Sequence, residues 1–136
     1  MMTTELTYLT LSVLLTGSLW LPYVIGLATE QADYTDFSLP PDRSLLRPWV
    51  QRAFRAHQNA LETTVPFAAV VLIAHVSQVS TALTAAATVA FFWIRLIHAV
   101  GMISGLAVFP IRPLLFSASY GCTVAIAVVL LLNLGA

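Results

Sequence analysis

Long apolar runs alternate with shorter polar segments along the chain, and this pattern predicts four membrane-spanning helices. The runs lie at about residues 6–29, 49–77, 82–106 and 113–134. At a rise of about 1.5 Å per residue, each run is long enough to cross the hydrocarbon core of a bilayer. We therefore expect an all-α integral membrane protein in which residues 1–136 form a single transmembrane domain.

Prolines mark the connections and two irregular places within the spans. Residues 30–54 hold the most extended polar stretch, with Pro40 and Pro41 side by side among acidic residues and arginines. Such a composition favours a loop outside the hydrocarbon. Pro22 predicts a kink in the first span and Pro66 a bend in the second, because proline removes a helix hydrogen bond.

The arginines predict an orientation in the membrane. All of them except Arg95 lie in or beside the 30–54 segment and the turn at Arg112, and four spans place these two connections on the same side. Because loops rich in arginine stay in the cytoplasm, we expect residues 30–54 to be cytoplasmic and both termini outside. For so compact a chain we expect the cell inner membrane of a bacterium, with a multi-pass topology.

Composition excludes several classes of function. Hydrophobic residues make up 59% of the chain and charged residues 9%, and six arginines balance six acids without any lysine. Because the chain has no net positive charge, we expect no electrostatic attraction to nucleic acid. The three histidines are dispersed, with no pair at helical spacing, so we expect no metal site. The lone Cys122 fits a small buried hydrophobe better than a catalytic thiol.

Polar residues interrupt the second and third spans where function is expected. Four of them recur on one stripe of the second span at spacings of three and four: Arg52, Arg55, Asn59 and Glu62. On the third span, Arg95 and His98 share a face. Charged residues inside a membrane usually face the bundle interior or a wet cavity, which points to a site here.

Two interpretations of these charges remain open on the residues alone. Glu62 and Arg95 lie at similar depths and could pair, which would only lock the helices together. However, four arginines lie on this half of the helices against one acid: Arg52, Arg55, Arg95 and Arg112. A buried arginine is costly unless water or an anion accompanies it. Since the guanidinium fork suits carboxylates, the second interpretation is a wet pocket for a small anionic ligand.

The same residues resemble the signature of a known family. The chain is similar to the MAPEG proteins (membrane-associated proteins in eicosanoid and glutathione metabolism) in three blocks: Arg55-Ala-His-Gln-Asn-Ala-Leu-Glu62 followed by Pro66-Phe67, Arg95-Leu-Ile-His98, and Pro110-Ile-Arg112. Their order and spacing agree over roughly residues 6–132. The resemblance implies a left-handed four-helix bundle, assembled as a homotrimer, that binds glutathione as a co-substrate between subunits near the cytoplasmic side.

The resemblance also implies roles for particular residues. The glutathione site would be formed by five of them, of which the two arginines shape the polar pocket: Arg55, Asn59, Glu62, Arg95 and His98. Arg112, at a helix start, would stabilise the glutathione thiolate and is the expected catalytic residue. The implied activity is a membrane-bound glutathione-dependent transferase or peroxidase acting on lipophilic electrophiles that enter from the membrane lipid.

Three positions depart from the pattern of the family's catalytic members. Met102 and Phe116 stand where those members often carry tyrosine, and Pro113 stands where they tend to carry serine. Tyr120 and Ser117 offer hydroxyls nearby. These departures motivate a second hypothesis, a non-catalytic MAPEG-like scaffold that binds lipid or a partner. A third hypothesis is a small helical membrane protein whose buried charges only fix its packing.

Overall fold

The computed structural model describes residues 2–30, 36 and 38–134, and these residues contain helices but no strand. The α-helices are α1 (Thr4–Ser18), α2 (Trp20–Glu30), α3 (Pro48–Val76), α4 (Ala82–Ser104) and α5 (Ile111–Leu134), with a short 3₁₀ helix at Arg43–Leu45. Four helical stretches are long and apolar enough to cross a membrane, with α1 and α2 together forming the first. The predicted all-α bundle of four spans is confirmed.

The first span is broken near Pro22, as the sequence predicted. Helix α1 ends at Ser18 and α2 begins at Trp20. Pro22 has no N–H to donate to the carbonyl four residues earlier, which is that of Ser18. The backbone N–H of Leu19 donates instead to the Thr16 carbonyl at 3.3 Å, which tightens the last turn of α1.

Helix α3 continues without interruption through Pro66. The missing N–H of Pro66 leaves the carbonyl of Glu62 without its usual helix partner. Helix α3 begins at Pro48, one residue before the predicted start of the second span, so the polar connection ends at residue 47. Pro48 occupies the first turn of α3, where a proline costs no hydrogen bond.

Two fully buried aromatic rings join α3 to α4 in the middle of the bundle. Phe67 and Phe91 stack in parallel, with ring centroids 3.6 Å apart and an interplanar angle of 1°. Aliphatic side chains from α1, α3, α4 and α5 surround them: Leu9, Val71, Ala74, Ala87, Ile126 and Leu130. A buried hydrogen bond of 2.8 Å between the hydroxyls of Thr16 and Thr64 adds a polar contact between α1 and α3.

Helix α4 has well-defined caps at both ends. Thr81 and Thr84 form a reciprocal capping box at its start. Gly105 ends it with a φ of +84°, a left-handed conformation that favours glycine. The Arg52 guanidinium packs against Gly105, and its Nε donates to the Ile103 carbonyl at 3.2 Å. Arg52 therefore caps the end of α4, although its spacing in the sequence placed it on the polar stripe of the second span.

The connection between α2 and α3 is held by contacts at both of its ends. Glu30 Oε1 accepts a hydrogen bond from Trp49 Nε1 at 2.9 Å and lies 3.5 Å from Arg47 Nε. Within the connection, the hydroxyl and backbone N–H of Ser44 both donate to Asp42. These two hydrogen bonds hold the pKa of the Asp42 carboxyl below its ordinary value.

Candidate functional site

A polar cavity of about 300 Å³ lies where α3, α4 and the start of α5 meet. Three of the residues predicted from the sequence line it, together with three from the first turns of α5: Asn59, His98, Arg112, Pro113, Phe116 and Ser117. Arg112 is the second residue of α5. The positive end of the α5 dipole and the guanidinium therefore act on the same space, and both attract an anion.

Arg95 is held behind this cavity by Asn59. Its side chain is 2% exposed, and its Nη2 donates to Asn59 Oδ1 at 3.0 Å. Its Nε and Nη1 are buried and make no hydrogen bond with any residue that the structure describes. Asn59 is a neutral partner, so the positive charge of Arg95 is retained beside the cavity.

His98 lies one turn further along α4 and lines the cavity directly. It is fully buried, and neither of its ring nitrogens has a hydrogen-bond partner in the described part of the chain. Buried polar groups are nearly always hydrogen-bonded, and leaving one without a partner costs about 1–3 kcal/mol. Together, Arg95 and His98 present four buried nitrogens that protein groups in residues 2–30, 36 and 38–134 leave unused.

Glu62 lies in a second cavity of about 290 Å³, further along the groove between α3 and α5. Five other residues line this space: Thr63, Pro66, Phe116, Tyr120 and Thr123. Phe116 is the shared wall of the two cavities. The Glu62–Arg95 pair that their depths allowed does not form, and within the described residues the ion pair that does form is Arg47–Glu30. Arg95 bonds to Asn59 instead because Asn59 lies one helical turn nearer to it than Glu62.

Two further expectations concern α3 and metals. Arg55 is exposed on α3 and lines neither cavity, so the structure does not bring it together with the other predicted residues. Among the described residues, no group of three metal-ligating side chains converges. The site therefore consists of two connected compartments, one cationic and one that contains a carboxylate.

An apolar groove of about 410 Å³ lies on the other flank of α4 and α5. Its walls are aliphatic: Leu96, Ile97, Val100, Gly101, Leu106, Ala107, Ile111 and Leu115. Ile97 and Ile111 are the chain neighbours of His98 and Arg112. The α4–α5 pair therefore has an apolar groove on one flank and the polar cavity on the other. Residues next to each other in the chain line the two.

Comparison with known families decides the relationship that the motifs indicated. The model of the MAPEG family matches residues 6–132, nearly the whole chain. The chain belongs to the MAPEG family. No curated protein and no solved structure gives a significant match. The geometry of this MAPEG protein is therefore interpreted from its own residues.

The three departures from the family's catalytic pattern have different surroundings in this MAPEG protein. Met102 is 4% exposed and lines neither polar cavity. Pro113 and Phe116 both line the cationic cavity, where they supply apolar surface next to Arg112. Ser117 supplies a hydroxyl in the same cavity, and Tyr120 supplies one in the neighbouring cavity.

Sequence reasoning missed the threonines of the second cavity. Thr63 follows Glu62 directly, and its hydroxyl donates back to the carbonyl of Asn59 at 2.9 Å. Thr123 lies three residues after Tyr120, hence on the same face of α5. That spacing was a usable signal, since Phe116, Tyr120 and Thr123 recur at intervals of four and three.

Proposed function

We propose that this MAPEG protein binds glutathione as a co-substrate and joins it, through its sulfur, to lipophilic electrophiles. The observation that carries the proposal is the pair Arg95 and His98, whose four buried nitrogens have no hydrogen-bond partner among the described residues and lie beside a cavity that Arg112 also lines. Arg95 Nε and Nη1 and one ring nitrogen of His98 can donate, so an anionic ligand would supply acceptors for them. Glutathione has two carboxylates and one ammonium group, so it matches a cationic cavity that adjoins a single carboxylate.

The proposed roles follow from the two compartments. The carboxylates and the thiolate of glutathione lie among Arg95, His98 and Arg112, and Arg55 guides the ligand from the exposed face of α3. Asn59 positions Arg95 and adds an amide donor. Glu62 accepts the ammonium group in the second cavity. In this arrangement each charge on the ligand faces a group of opposite charge or a hydrogen-bond donor.

The chemistry requires glutathione as the thiolate, because the thiol itself is a weak nucleophile. Arg112 and the start of α5 stabilise the negative sulfur, and the proton leaves to solvent. The sulfur then forms a bond to the electrophilic carbon, and the leaving group departs with the electron pair. With a lipid hydroperoxide, the thiolate sulfur takes the terminal oxygen as the O–O bond breaks, and the alkoxide leaves and is protonated to the alcohol. The thiol of a second glutathione then attacks the resulting sulfenic acid, which forms the disulfide and releases water.

The lipophilic substrate is proposed to lie in the apolar groove between α4 and α5. The groove is lined entirely by aliphatic residues, alanine and glycine, and it belongs to spans that contact lipid. A substrate dissolved in the bilayer would reach it laterally. The reacting carbon would then approach the sulfur around the first turn of α5, where Ile111 and Arg112 are neighbours.

We propose a homotrimer in a cell inner membrane, with the α2–α3 connection in the cytoplasm and both termini outside. Glu62 lies in the second span and is exposed on the single subunit. An ionised group facing lipid is costly, so a neighbouring subunit is expected to cover it. The same argument applies to Arg55, which is exposed on the same helix.

The deciding experiment is titration of purified protein with glutathione, followed by conjugation of a chromogenic aryl halide. We expect binding heat, a thiolate absorbance band and product formation. Arg112→Ala should lose about 100-fold in turnover, the usual effect of removing a donor to a developing anion. The control is Arg47→Ala, which removes an exposed arginine far from the cavities. Absence of any binding heat for the unmodified protein would refute the proposal.

A non-catalytic lipid-binding scaffold is the second candidate. It is favoured by Pro113 and Phe116, which place apolar surface where a hydroxyl donor to sulfur would otherwise be expected. This candidate predicts lipid binding without a thiolate band when glutathione is added. The same titration therefore separates the two functions.

A further inference from the structure

A second buried charge lies at the end of the bundle opposite Arg112, which we call the distal end. It is formed by the start of α1, the end of α3 and the start of α4. Glu5 is 8% exposed there, and its Oε1 accepts hydrogen bonds from the hydroxyls of Ser80 at 2.7 Å and Thr84 at 2.9 Å. An ionised carboxylate only accepts hydrogen bonds, so two hydroxyl donors match it well.

No cationic side chain of fixed charge balances Glu5 at the distal end. Among the described residues of the distal end, at 2–12, 71–84 and 122–134, there is no arginine or lysine. The one side chain among them that can carry a positive charge is His75, near the end of α3. The first turn of α1 and the two hydroxyls stabilise the Glu5 carboxylate, and a positive group in the adjoining cavity would neutralise its charge.

Glu5 lines a cavity of about 210 Å³. One water needs about 10–15 Å³ of such space, so the cavity has room for a small organic group. Its rim is polar, with Thr3, Glu5, His75 and Gln78, while its floor includes Val71 and Ile126. A suitable ligand is therefore cationic at one end and has methylene groups next to the charge.

The shape of the site narrows the class of cation. The affinity of calcium and magnesium sites rises with the number of carboxylate ligands, and this cavity has one carboxylate beside three hydroxyls and the amide of Gln78. Quaternary ammonium groups prefer cages of aromatic rings, and no aromatic residue lines the cavity. A primary ammonium group has three N–H donors, which suit a carboxylate flanked by hydroxyl oxygens.

The position of the cavity indicates where such a group would come from. The distal cavity is formed where the first span begins, the second ends and the third begins, and the ends of spans lie near a membrane surface. We propose that it binds a primary alkylammonium group, supplied by the headgroup of an aminophospholipid such as phosphatidylethanolamine. The ammonium donates to Glu5, the two methylene carbons contact the apolar floor, and His75 on the rim lies near the lipid phosphate.

The test is native mass spectrometry of the purified protein titrated with defined lipids. Phosphatidylethanolamine should be retained about tenfold more strongly than phosphatidylcholine or phosphatidylglycerol at equal concentration. Retention should fall stepwise as the amine is methylated once, twice and three times. This series uses the unmodified protein, so it does not depend on the folding of a variant. Equal retention across the series would overturn the proposal.

The matched variant is Glu5→Gln, which keeps the shape and an acceptor for Ser80 and Thr84 but removes the charge. We expect it to lose the preference for the amine. Asp36→Asn, in the connection at the other end of the molecule, should retain it. A Glu5→Gln protein that folds and still prefers phosphatidylethanolamine would contradict the assignment of the carboxylate.

Free ethanolamine tests whether the site takes its ammonium group from a lipid headgroup or from a soluble amine. If it binds the unmodified protein but not Glu5→Gln, and the lipid does not bind, the ammonium site is supported and its ligand is a soluble amine. Failure of both amines to bind overturns the site. Glutathione binding should be unchanged in Glu5→Gln because the cavities lie at opposite ends, so this proposal and the proposed function fail independently.

Discussion

Arg95 Nη2 donates to Asn59 Oδ1 at 3.0 Å, and this contact joins α4 to α3 beside the cationic cavity. The partner is an amide, whereas a carboxylate would have cancelled the charge. Hydrogen bonding fixes the direction of the guanidinium, but the positive potential remains for a ligand. Asn59 is therefore a positioning residue for Arg95 as well as a residue of the cavity wall.

Replacement of Asn59 by alanine should weaken both stability and glutathione binding. A hydrogen bond to a charged group contributes about 1.5–3 kcal/mol, and its loss leaves Arg95 without its protein partner. We expect a lower melting temperature and a dissociation constant raised about tenfold by calorimetry. Gln58→Ala, which changes the exposed neighbouring amide, is the control. Unchanged affinity in Asn59→Ala would show that Arg95 does not need this contact.

Replacement of Glu62 by glutamine should remove recognition of the ammonium group of glutathione. The unmodified protein should prefer glutathione about tenfold over an analogue that lacks this ammonium. The variant should bind both ligands equally. Glu5→Gln, which removes a carboxylate at the distal end, should keep the preference. If Glu62→Gln also keeps it, the second cavity does not hold the ammonium.

Replacement of Phe116 by tyrosine should add a hydroxyl to the wall that the two cavities share. A phenol near the sulfur donates a hydrogen bond to the thiolate and favours its formation. Phe116 is partly exposed, so the extra oxygen should be accommodated without a large loss of stability. We expect a stronger thiolate band with glutathione and faster conjugation. A weaker band would indicate that the sulfur lies elsewhere.

Replacement of Gly26 by alanine should loosen α2 from α3. A Cβ atom at this position would lie 2.6 Å from Cγ2 of Val50, a fully buried and stiff side chain. Overpacking of this kind costs about 1–3 kcal/mol. Gly17→Ala, on the same span, meets nothing within 4 Å and serves as the control. Equal melting temperatures for the two variants would disprove the predicted clash.

The mass of the protein in mild detergent tests the proposed assembly. Native mass spectrometry should give three times the 14.7 kDa of one chain. Glu62 is the one acidic residue among the exposed charged residues of α3. Glu62→Lys should therefore weaken the assembly, because it replaces this acid by a cation. A monomer that still binds glutathione would show that one subunit holds the whole site.

Much of the fold could be predicted from hydrophobicity and proline positions. The four apolar runs gave the spans to within two residues at each end, and Pro22 gave the break at Leu19. Helix α4 ends at Ser104 rather than near residue 106, because Gly105 takes a left-handed conformation that hydrophobicity does not report.

The site was harder to predict because it depends on the rotation of each helix about its axis. Counting residues from the membrane surface placed Glu62 and Arg95 at similar depths, but it did not show which turn of α3 faces Arg95. The turn of α3 that faces Arg95 is the one with Asn59, whereas Glu62 faces α5. Arg52 shares the stripe of Asn59 yet caps α4, because a long side chain can reach away from its own face.

The parallel rings of Phe67 and Phe91 separate the distal cavity from the cationic cavity. With the aliphatic cluster around them, they form an apolar layer inside the helical bundle. The chain can therefore hold water in both cavities without a continuous polar path for ions or protons between them. The cationic cavity and the distal cavity could then bind and release their ligands independently while the membrane keeps its electrochemical gradient.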